Sequence, residues 1–344
     1  MRLIKYSQAL SEGMVQAMEQ DPNIFITGIA VDYPSGIFGS TVEAAKRFGP
    51  SRVFDAPAME NALTGILIGA AAVGKRPIIV HPRVDFMFLS FDMLLQLSAK
   101  WRYMYGGNGG MAPIVIRAII GRGWGQGATH SQSPQAPLAH FPGLTVVMPA
   151  FPADAKGLML SALQHSGPVV ILEHRSLYDT EGEVPDEAVP IPFGKAQVVR
   201  KGNDITIVAT SYMSYEALQA ANELEKNGIS AEVVDLRSIR PLDEETILTS
   251  VKKTGRLIAA DTSWELCGIA SEVVALVAEK GFSSLKSPAR RIALANCSAP
   301  VSHSLEKVFY PSANTIAKAA MAMLGKDDGS LGHINRDDTF KGPY

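Results

Sequence analysis

The sequence is poor in cysteine, with only Cys267 and Cys297 in 344 residues. Both occur in apolar surroundings, and their spacing is unlike that of metal-binding cysteines. We therefore expect no disulfide framework, and a reducing compartment, the cytoplasm, is the default prediction. The first residues lead directly into a helical pattern and lack the apolar core of a signal peptide.

The sequence also lacks a strong excess of either charge. Its net charge at pH 7 is −2, and no basic run is dense enough to indicate nucleic-acid binding. The longest uncharged apolar stretch, residues 62–74, is too short and too rich in glycine to span a bilayer. We therefore expect neither a nucleic-acid partner nor a membrane anchor.

Several catalytic motifs are missing as well. The sequence has no G-x-x-x-x-G-K-[ST] phosphate loop and no G-x-S-x-G nucleophile elbow. The glycines between 121 and 127 follow a strand pattern but do not open a helix, so they match a dinucleotide fingerprint poorly. Histidine, cysteine and acidic residues show no metal-like spacing. If the chain is an enzyme, we expect a cofactor to supply the chemistry.

What the sequence does contain is an alternation of apolar strands and helical patterns. Strands are predicted at residues 23–28, 76–80, 113–117, 144–149, 168–172, 204–209, 231–234 and 257–260. Helices are predicted between them, including one capped by Ser7 and a long one from about Phe86 to Trp101. The alternation predicts parallel sheets covered by helices, with the chemistry at the carboxyl ends of the strands.

The periodicity stops between His174 and Gly194, where acids and prolines accumulate. We interpret residues 181–196 as a linker between a first domain, residues 1–180, and a smaller second domain, residues 197–326. Residues 327–344 are expected to form a polar, mobile tail.

The helix predicted after Pro57 consists mostly of small and apolar residues and carries a single acid, Glu60. Pro57 suits the first turn of a helix, because its missing N–H has no intrahelical acceptor there. A carboxylate at the head of so apolar a helix would be poorly hydrated unless a partner donates to it. The alternative is an ordinary acid favoured by the helix dipole.

A long loop, residues 118–137, carries four glycines and then His130 between small polar residues. Ordering such a loop costs entropy, and unstructured segments of this length are usually functional or disordered. His130 could stay hydrated there and exchange protons. The alternative is an ordinary surface histidine.

An ordered series of short segments extends over roughly residues 4–325: 52–60, 65–71, 76–77, 85–86, 99–100, Arg117, 130–132, 142–149 and 236–243. Together they resemble the β subunit of thiamine-diphosphate-dependent 2-oxo acid dehydrogenases, the decarboxylating first component of the pyruvate, branched-chain and acetoin systems. The resemblance implies an α/β chain. The first domain of this chain would be transketolase-like, with a parallel sheet, and would bind the pyrimidine of the cofactor. A smaller α/β domain, the transketolase C-terminal domain, would follow it.

The resemblance also implies roles for three residues. Glu60 matches the acid that contacts N1′ of the thiamine aminopyrimidine, where a shared proton helps the cofactor to lose its thiazolium C2 proton. Phe86 matches the aromatic residue that packs against the pyrimidine ring, although plain core packing is the alternative. His130 matches the loop histidine that faces the substrate and the incoming acceptor.

The sequence lacks the Gly-Asp-Gly…Asn motif that holds the cofactor's diphosphate through a divalent ion. In this family that motif lies on the α subunit. The resemblance therefore implies a shared site in an α2β2 heterotetramer, with the Mg²⁺ ligands on α. The family's monovalent-cation site uses carbonyls near Ile114 and Ala162, so K⁺ is a candidate ligand, although His165 and Gly167 stand where acid and amide side chains are common.

Some residues depart from the family pattern. Ile29 replaces an acid near the cofactor, which puts one hydrogen bond to the cofactor in doubt. Arg83, Arg122 and Trp124 are added near the expected mouth of the site. Arginine there suits a carboxylate or phosphate, and an exposed aromatic side chain suits a sugar-like ligand or a partner.

Three functions remain open at this point. The first is a dehydrogenase β subunit that passes an acyl group to a lipoyl carrier, in company with a lipoyl acyltransferase. The second is a split transketolase or acyloin-forming enzyme that joins a two-carbon unit to an aldehyde or sugar. The third is a structural subunit, against which the joint presence of Glu60, Phe86 and His130 speaks.

Overall fold

A computed structural model describes residues 1–107, 112–122, 125–327, 329 and 331–332. The chain divides into two compact units. Unit 1 comprises Met1–Arg122 and His130–Phe193, and unit 2 comprises the described residues from Gly194 onward together with a short segment that ends at Thr129.

Unit 1 is built on a parallel sheet whose strands run in the order β6-β7-β5-β4-β2-β3. These strands are β2 (Ile24–Gly28), β3 (Val53–Asp55), β4 (Arg76–His81), β5 (Val115–Ile120), β6 (Thr145–Val147) and β7 (Val169–His174). Every residue of β5 and β7 is buried. Continuous runs of valine, isoleucine and leucine suit such strands, because helices cover both faces of a parallel sheet.

Seven α-helices are described in unit 1: α1 (Tyr6–Gln20), α2 (Val42–Phe48), α3 (Glu60–Ala72), α4 (Val84–Met87), α5 (Trp101–Met104), α6 (Gln135–His140) and α7 (Pro152–Gln164). The capping role predicted for Ser7 is wrong, because α1 begins one residue earlier and buries Ser7. The helix predicted from Pro152 is confirmed, with the proline in its first turn.

The long helix predicted from Phe86 to Trp101 is wrong as a single element. The chain forms α4, then a 3₁₀ turn at Phe88–Ser90, a π-helical stretch at Asp92–Ser98, and finally α5. A π-helical stretch changes which residues face inward, and such stretches occur frequently at functional sites. The hydrophobic pattern alone could not reveal this change, because helical periodicity does not distinguish an α-helix from one interrupted by a 3₁₀ turn and a π-helical stretch.

The loop predicted over residues 118–137 is shorter than expected. β5 continues to Ile120, a 3₁₀ turn covers Gly127–Thr129, and α6 begins at Gln135. The part of this segment at residues 123–124 lies outside the described residues.

Part of the predicted linker has regular structure. A strand β8 (Glu181–Val184) pairs antiparallel with β1 (Arg2–Lys5). The buried Lys156 ammonium donates to the carbonyl of Pro185 at 2.6 Å. Unit 1 therefore extends to Phe193. The domain limits 1–180 and 197–326 stay predictions.

Unit 2 holds a second sheet in the order β14-β13-β10-β11-β9, parallel except for the edge strand β9. The strands of unit 2 are β9 (Gln197–Arg200), β10 (Ile205–Ala209), β11 (Ala231–Asp235), β12 (Ser238–Arg240), β13 (Leu257–Trp264) and β14 (Arg290–Leu294). Its helices are α8 (Tyr212–Lys226), α9 (Glu244–Thr254), α10 (Ile269–Lys280), α11 (His303–Phe309) and α12 (Ala313–Met323). The α/β fold class predicted for both halves is confirmed.

One smaller expectation about unit 2 is wrong: Cys267 and Cys297 are both exposed rather than set in apolar surroundings. At the start of the predicted tail, Leu331 packs on the core that includes α8, and the Gly332 N–H donates to Glu223 at 2.7 Å. The mobility of the tail stays a prediction. Residues 333–344 lie outside the described part of the chain.

Candidate active site

Glu60 is the first residue of α3, which follows β3 after a short turn. Pro57 precedes the helix by three residues, so its predicted place in the first turn is wrong. The helix begins only at Glu60, since Met59 still has non-helical backbone angles. Glu60 is half-buried, and the nearly dry setting predicted for its carboxylate is wrong for this chain by itself.

The reason for this exposure lies in the outer face of α3. Asn61, Ala62 and Ile66 are exposed on the turns next to Glu60, and Ile66 exposes 58% of its surface. The opposite face is buried, with Leu67 and Ile68 in the core. One face of α3 therefore packs on the core, and the other face leaves the Glu60 carboxylate accessible.

Phe86 and His130 form a ring contact. Their ring centroids are 5.3 Å apart and the planes meet at 79°, which is an edge-to-face geometry. Phe86 remains 42% exposed, and His130 is half-buried. The structure therefore brings together two of the residues selected from the sequence, and plain core packing is excluded for Phe86.

Hydrogen bonds fix the loop that carries His130. The Gln132 amide donates to the Asp85 carboxylate at 2.8 Å, next to Phe86 in α4. The Gly121 N–H donates to the Gln132 carbonyl at 2.9 Å. His130 is therefore positioned from both the end of β5 and the start of α4.

The segment that follows α4 also contacts α3. The Met93 N–H lies 3.4 Å from the Asn61 side-chain oxygen, which it approaches as a donor. A Cβ at Gly65 would lie only 3.2 Å from the Met93 sulfur, so glycine permits this close approach. Glu60 and Phe86 accordingly belong to neighbouring elements at the carboxyl edge of the sheet.

Arg117 lies on β5, the strand that leads into the loop of His130, and it takes part in a buried hydrogen-bond network. It is fully buried, and its guanidinium donates to both carboxylate oxygens of Glu173, at 2.6 and 2.8 Å. The Tyr178 hydroxyl donates to the same carboxylate, and burial raises the pKa of Tyr178 well above its usual value. Arg117 also donates to Ser40 at 2.8 Å, which links β5 and β7 to the loop before α2. We assign this network a structural role, because removing either ion-pair partner would leave a buried charge uncompensated.

The substrate residues suggested by the sequence lie at the same edge, where described. Arg83 is half-buried directly before α4, and Arg122 is buried just after β5. Trp124 lies outside the described residues. Sequence reasoning missed Phe38 and Arg175, which join Arg83: the guanidinium carbons of Arg175 and Arg83 lie 4.0 and 5.6 Å from the Phe38 ring centroid.

The carbonyls suggested for a monovalent cation already accept backbone hydrogen bonds. The Ile114 carbonyl accepts from Val169 at 3.0 Å, and the Ala162 carbonyl accepts from His165 at 3.2 Å. The Arg76 guanidinium donates to the neighbouring carbonyl of His165 at 3.0 Å. Burial lowers the pKa of the His165 imidazole.

Two other features bear on metals and membranes. Among the described residues, no group of three or more histidine, cysteine or acidic side chains is arranged to hold a metal ion. No helix in the same part of the chain is both long enough and apolar enough to cross a bilayer.

Comparison with known families matches both halves of the chain. Residues 2–181 match the pyrimidine-binding domain of transketolase, and residues 194–316 match the transketolase C-terminal domain. The chain is thus of the transketolase class, as its two α/β units and the resemblance in its sequence indicate.

Individual relatives identify the branch of this class to which the chain belongs. The chain is 41% identical to the β subunit of acetoin:2,6-dichlorophenolindophenol oxidoreductase of Cupriavidus necator, over 93% of this chain and 97% of that one. It is 38% identical to the 2-oxoisovalerate dehydrogenase β subunit of Bacillus subtilis, covering 95% and 100% of the two chains. The pyruvate dehydrogenase E1 β subunit of Rickettsia felis is 37% identical, with 92% and 97% covered. The chain belongs to the family of thiamine-diphosphate-dependent 2-oxo acid dehydrogenase E1 β subunits.

A solved structure described as a split gene transketolase in an inactive β4 tetramer is also similar. Its TM-score is 0.76 at 25% identity, and the match covers 94% of this chain and 98% of that one. The fold expected from the sequence is therefore confirmed by an experimental relative.

Proposed function

We propose that this chain acts with an α subunit as the decarboxylating first component of a 2-oxo acid dehydrogenase and passes an acyl group to a lipoyl carrier. Two observations carry the proposal: the half-exposed carboxylate of Glu60 lies on a helix that contacts the segment just after α4, and α4 holds Phe86 against His130. A purely structural subunit has no need to keep an acid, an aromatic ring and a histidine open at one sheet edge.

The residues present fit one half of a thiamine diphosphate site. The Phe86 ring exposes 42% of its surface, although it is large and apolar, and a flat heterocycle could cover it. Glu60 would hold a proton at N1′ of the aminopyrimidine, and the exposed face of α3 leaves room for a partner to exclude water there. When bound, thiamine diphosphate supplies the nucleophilic carbon and electron sink that cleavage of a 2-oxo acid requires.

His130 would act on the substrate side. Its ring is half-buried and is oriented by its edge contact with Phe86 and by the Gln132–Asp85 hydrogen bond. A histidine held in this way can donate or accept a proton as the acyl group leaves. Arg122 and Trp124 are proposed to contribute to substrate binding at the same mouth.

The other half of the site would come from the α subunit. The relatives carry the description "subunit beta", which supports a partner chain. We propose that the partner provides the Mg²⁺ and diphosphate ligands, that the assembly is an α2β2 heterotetramer, and that a lipoyl acyltransferase is the acceptor. K⁺ at the carbonyls of Ile114 and Ala162, and a cytoplasmic location, stay predictions.

A second candidate is a split transketolase or acyloin-forming enzyme. The similarity to a split gene transketolase favours it, as do the added arginines Arg83 and Arg122. The two candidates share the cofactor chemistry and differ in the acceptor, a lipoyl group in one and an aldehyde in the other.

An acceptor assay on the reconstituted α–β complex distinguishes them. The α subunit would be obtained from the neighbouring gene or by copurification, and pyruvate would be supplied with either lipoamide or an aldehyde. Reduction of lipoamide with thiamine-dependent loss of CO₂ supports the dehydrogenase. Carbon–carbon bond formation without lipoamide reduction supports the second candidate, and no thiamine-dependent turnover with any donor contradicts both.

A further inference from the structure

The carbonyl end of helix α7 is contacted by a fixed cation, the guanidinium group of Arg76. Its Nη1 donates to the carbonyls of Leu163 and His165, both at 3.0 Å. Leu163 lies in the last turn of α7, and His165 directly follows the helix. That last turn, residues 161–164, contains no basic residue of its own. Arg76, at the start of β4, therefore supplies the positive charge that the carbonyl end of a helix favours.

Two further contacts hold Arg76 in this position. Its backbone N–H donates to the Asn23 carbonyl at 3.0 Å, and its Nε lies 3.5 Å from the Asp21 carboxylate. The Asp21 carboxylate also accepts from the Asn23 N–H at 2.8 Å, which fixes the acid beside the guanidinium. The charge of Arg76 is thus balanced by an acid of the same unit.

The resemblance in the sequence places a monovalent cation at the same turn, near the carbonyls of Ile114 and Ala162. His165 and Gly167 stand where an acid and an amide side chain are common. The His165 ring packs edge-to-face against Phe193, with ring centroids 5.4 Å apart. An imidazole offers no anionic oxygen and glycine offers no side chain, so two oxygen donors suited to a hard cation are missing.

The remaining carbonyls do not make good this loss. The Ile114 and Ala162 carbonyls each accept a backbone N–H, at 3.0 and 3.2 Å. A metal ion that also used the neighbouring carbonyls of Leu163 and His165 would lie close to the guanidinium that donates to both. Like charges repel, and the acid that would compensate this repulsion is replaced at position 165. The donor set of this chain therefore does not fit a bound K⁺.

We propose that the guanidinium of Arg76 takes the place of the monovalent cation in this chain, so that the turn after α7 is stable without K⁺. The proposal opposes the prediction of K⁺ at the carbonyls of Ile114 and Ala162. It involves residues of unit 1 alone and does not depend on the proposed function.

Thermal unfolding of the purified full chain tests the proposal without interference from cations bound by an α subunit. KCl is replaced stepwise by choline chloride at constant ionic strength. We expect the unfolding temperature to stay within about 1 °C, because a ligand stabilises only the state that binds it. A larger rise with K⁺ contradicts the proposal.

The variant R76Q removes the fixed cation. Its unfolding temperature should fall in both salts, because two carbonyls at the end of α7 lose a charged donor. R47M is the matched control, because Arg47 forms a surface ion pair with Glu19 and lies on α2, away from this turn. Equal unfolding temperatures for R76Q and R47M contradict the role assigned to Arg76.

Restoring the missing donors tests the exchange in the opposite direction. A Cβ at Gly167 would meet its nearest neighbour, the His165 ring, at an ordinary 3.5 Å, so a side chain can be placed there. R76Q/H165D/G167N should unfold at least about 3 °C higher in KCl than in choline chloride, as a ligand at ten times its Kd would give. H165D/G167N, which keeps Arg76, should stay independent of K⁺. A K⁺ effect in H165D/G167N, or none in the triple variant, contradicts the exchange.

Dialysis against radioactive Rb⁺, an analogue of K⁺, measures binding directly. The wild-type chain should show no saturable binding, and R76Q/H165D/G167N should bind Rb⁺ that KCl displaces. Saturable, displaceable binding by the wild type contradicts the proposal. Neither dialysis nor thermal unfolding requires turnover, so the result stands whether or not the proposed function is correct.

Discussion

The two sheets carry acids at their carboxyl ends that behave differently. In unit 2, Asp261 is fully buried; it accepts a hydrogen bond from Thr210 at 2.9 Å and another from the Ile269 N–H at 3.2 Å, where α10 begins. In unit 1, Glu60 also stands at the start of a helix but remains half-exposed. The Asp261 carboxylate therefore joins the start of α10 to β13 by a hydrogen bond, whereas the Glu60 carboxylate is accessible to a ligand.

The comparison teaches that position at a sheet edge does not by itself identify a functional acid. Both units present helix starts and polar groups there, as parallel sheets do. The distinguishing observations are accessibility and nearby groups with chemical use, in this case the exposed Phe86 and the half-buried His130. A buried acid whose oxygens accept from its own chain has a structural task.

The largest expected effect is that of E60Q. Glutamine keeps the volume of the side chain but cannot share a proton with the cofactor in the same way, so turnover of the reconstituted complex should fall by about 10²–10⁴-fold. The unfolding temperature should stay nearly unchanged because Glu60 is half-exposed. Thiamine-dependent release of CO₂ measures the first quantity and thermal denaturation the second. Full turnover in E60Q would remove Glu60 from the mechanism.

R117M should have the next largest effect, on stability. It leaves the carboxylate of Glu173 buried without its ion-pair partner, which costs about 3–5 kcal/mol in other proteins. Urea unfolding of the complex measures the loss. R47M, which breaks a surface pair, should change stability by less than about 1 kcal/mol. Similar losses in the two variants would show that the buried network is not what holds unit 1 together.

H130A tests the histidine of the ring contact. We expect the transfer step to slow by roughly 10²-fold or more, since a positioned proton donor or acceptor is lost, while the initial decarboxylation stays measurable. Decarboxylation is followed with an artificial electron acceptor and transfer with lipoamide. If both rates fell together because the cofactor bound less tightly, His130 would serve cofactor binding instead.

D261N is the counterpart of E60Q in unit 2 and should have the smallest effect. The same change from carboxylate to amide replaces one accepting oxygen by a donor and so weakens a hydrogen bond to Thr210 or to the Ile269 N–H, and stability should fall by about 1–3 kcal/mol. Turnover of the folded complex should remain close to that of the wild type. A loss of turnover with unchanged stability would overturn the contrast between the two acids.

Much of the fold could be predicted because its signals are local. The apolar runs at β4, β5 and β7 are long enough to identify buried strands, and Pro152 and Asp243 mark helix starts that the structure confirms. Strands such as β8, β9 and β14 were missed because they are only four or five residues long and partly exposed. Their pairing depends on neighbours that are distant in sequence.

The site was predicted only in part, for a similar reason. Glu60, Phe86 and His130 belong to segments that resemble a known family, so the sequence could nominate them. Phe38 and Arg175 occur in no such segment, and they meet Arg83 only because β4, β7 and the loop before α2 converge. The hydration of Glu60 could not be predicted from the sequence for the same reason. The apolar composition of α3 predicts a poorly hydrated carboxylate, but its exposure depends on which face of the helix packs against the rest of the chain.

The sequence by itself determined the alternation of the buried strands with helices, the two α/β units, and the family whose pattern selects the acid, the aromatic ring and the histidine. These follow from hydrophobic periodicity and from residue identity, which act over a few positions of the chain. Only the tertiary structure decided where the helix after Phe86 changes its winding, that both cysteines are exposed, and that two arginines share one ring. Packing fixes such features, because it balances burial, charge and backbone strain among residues that are far apart in the chain.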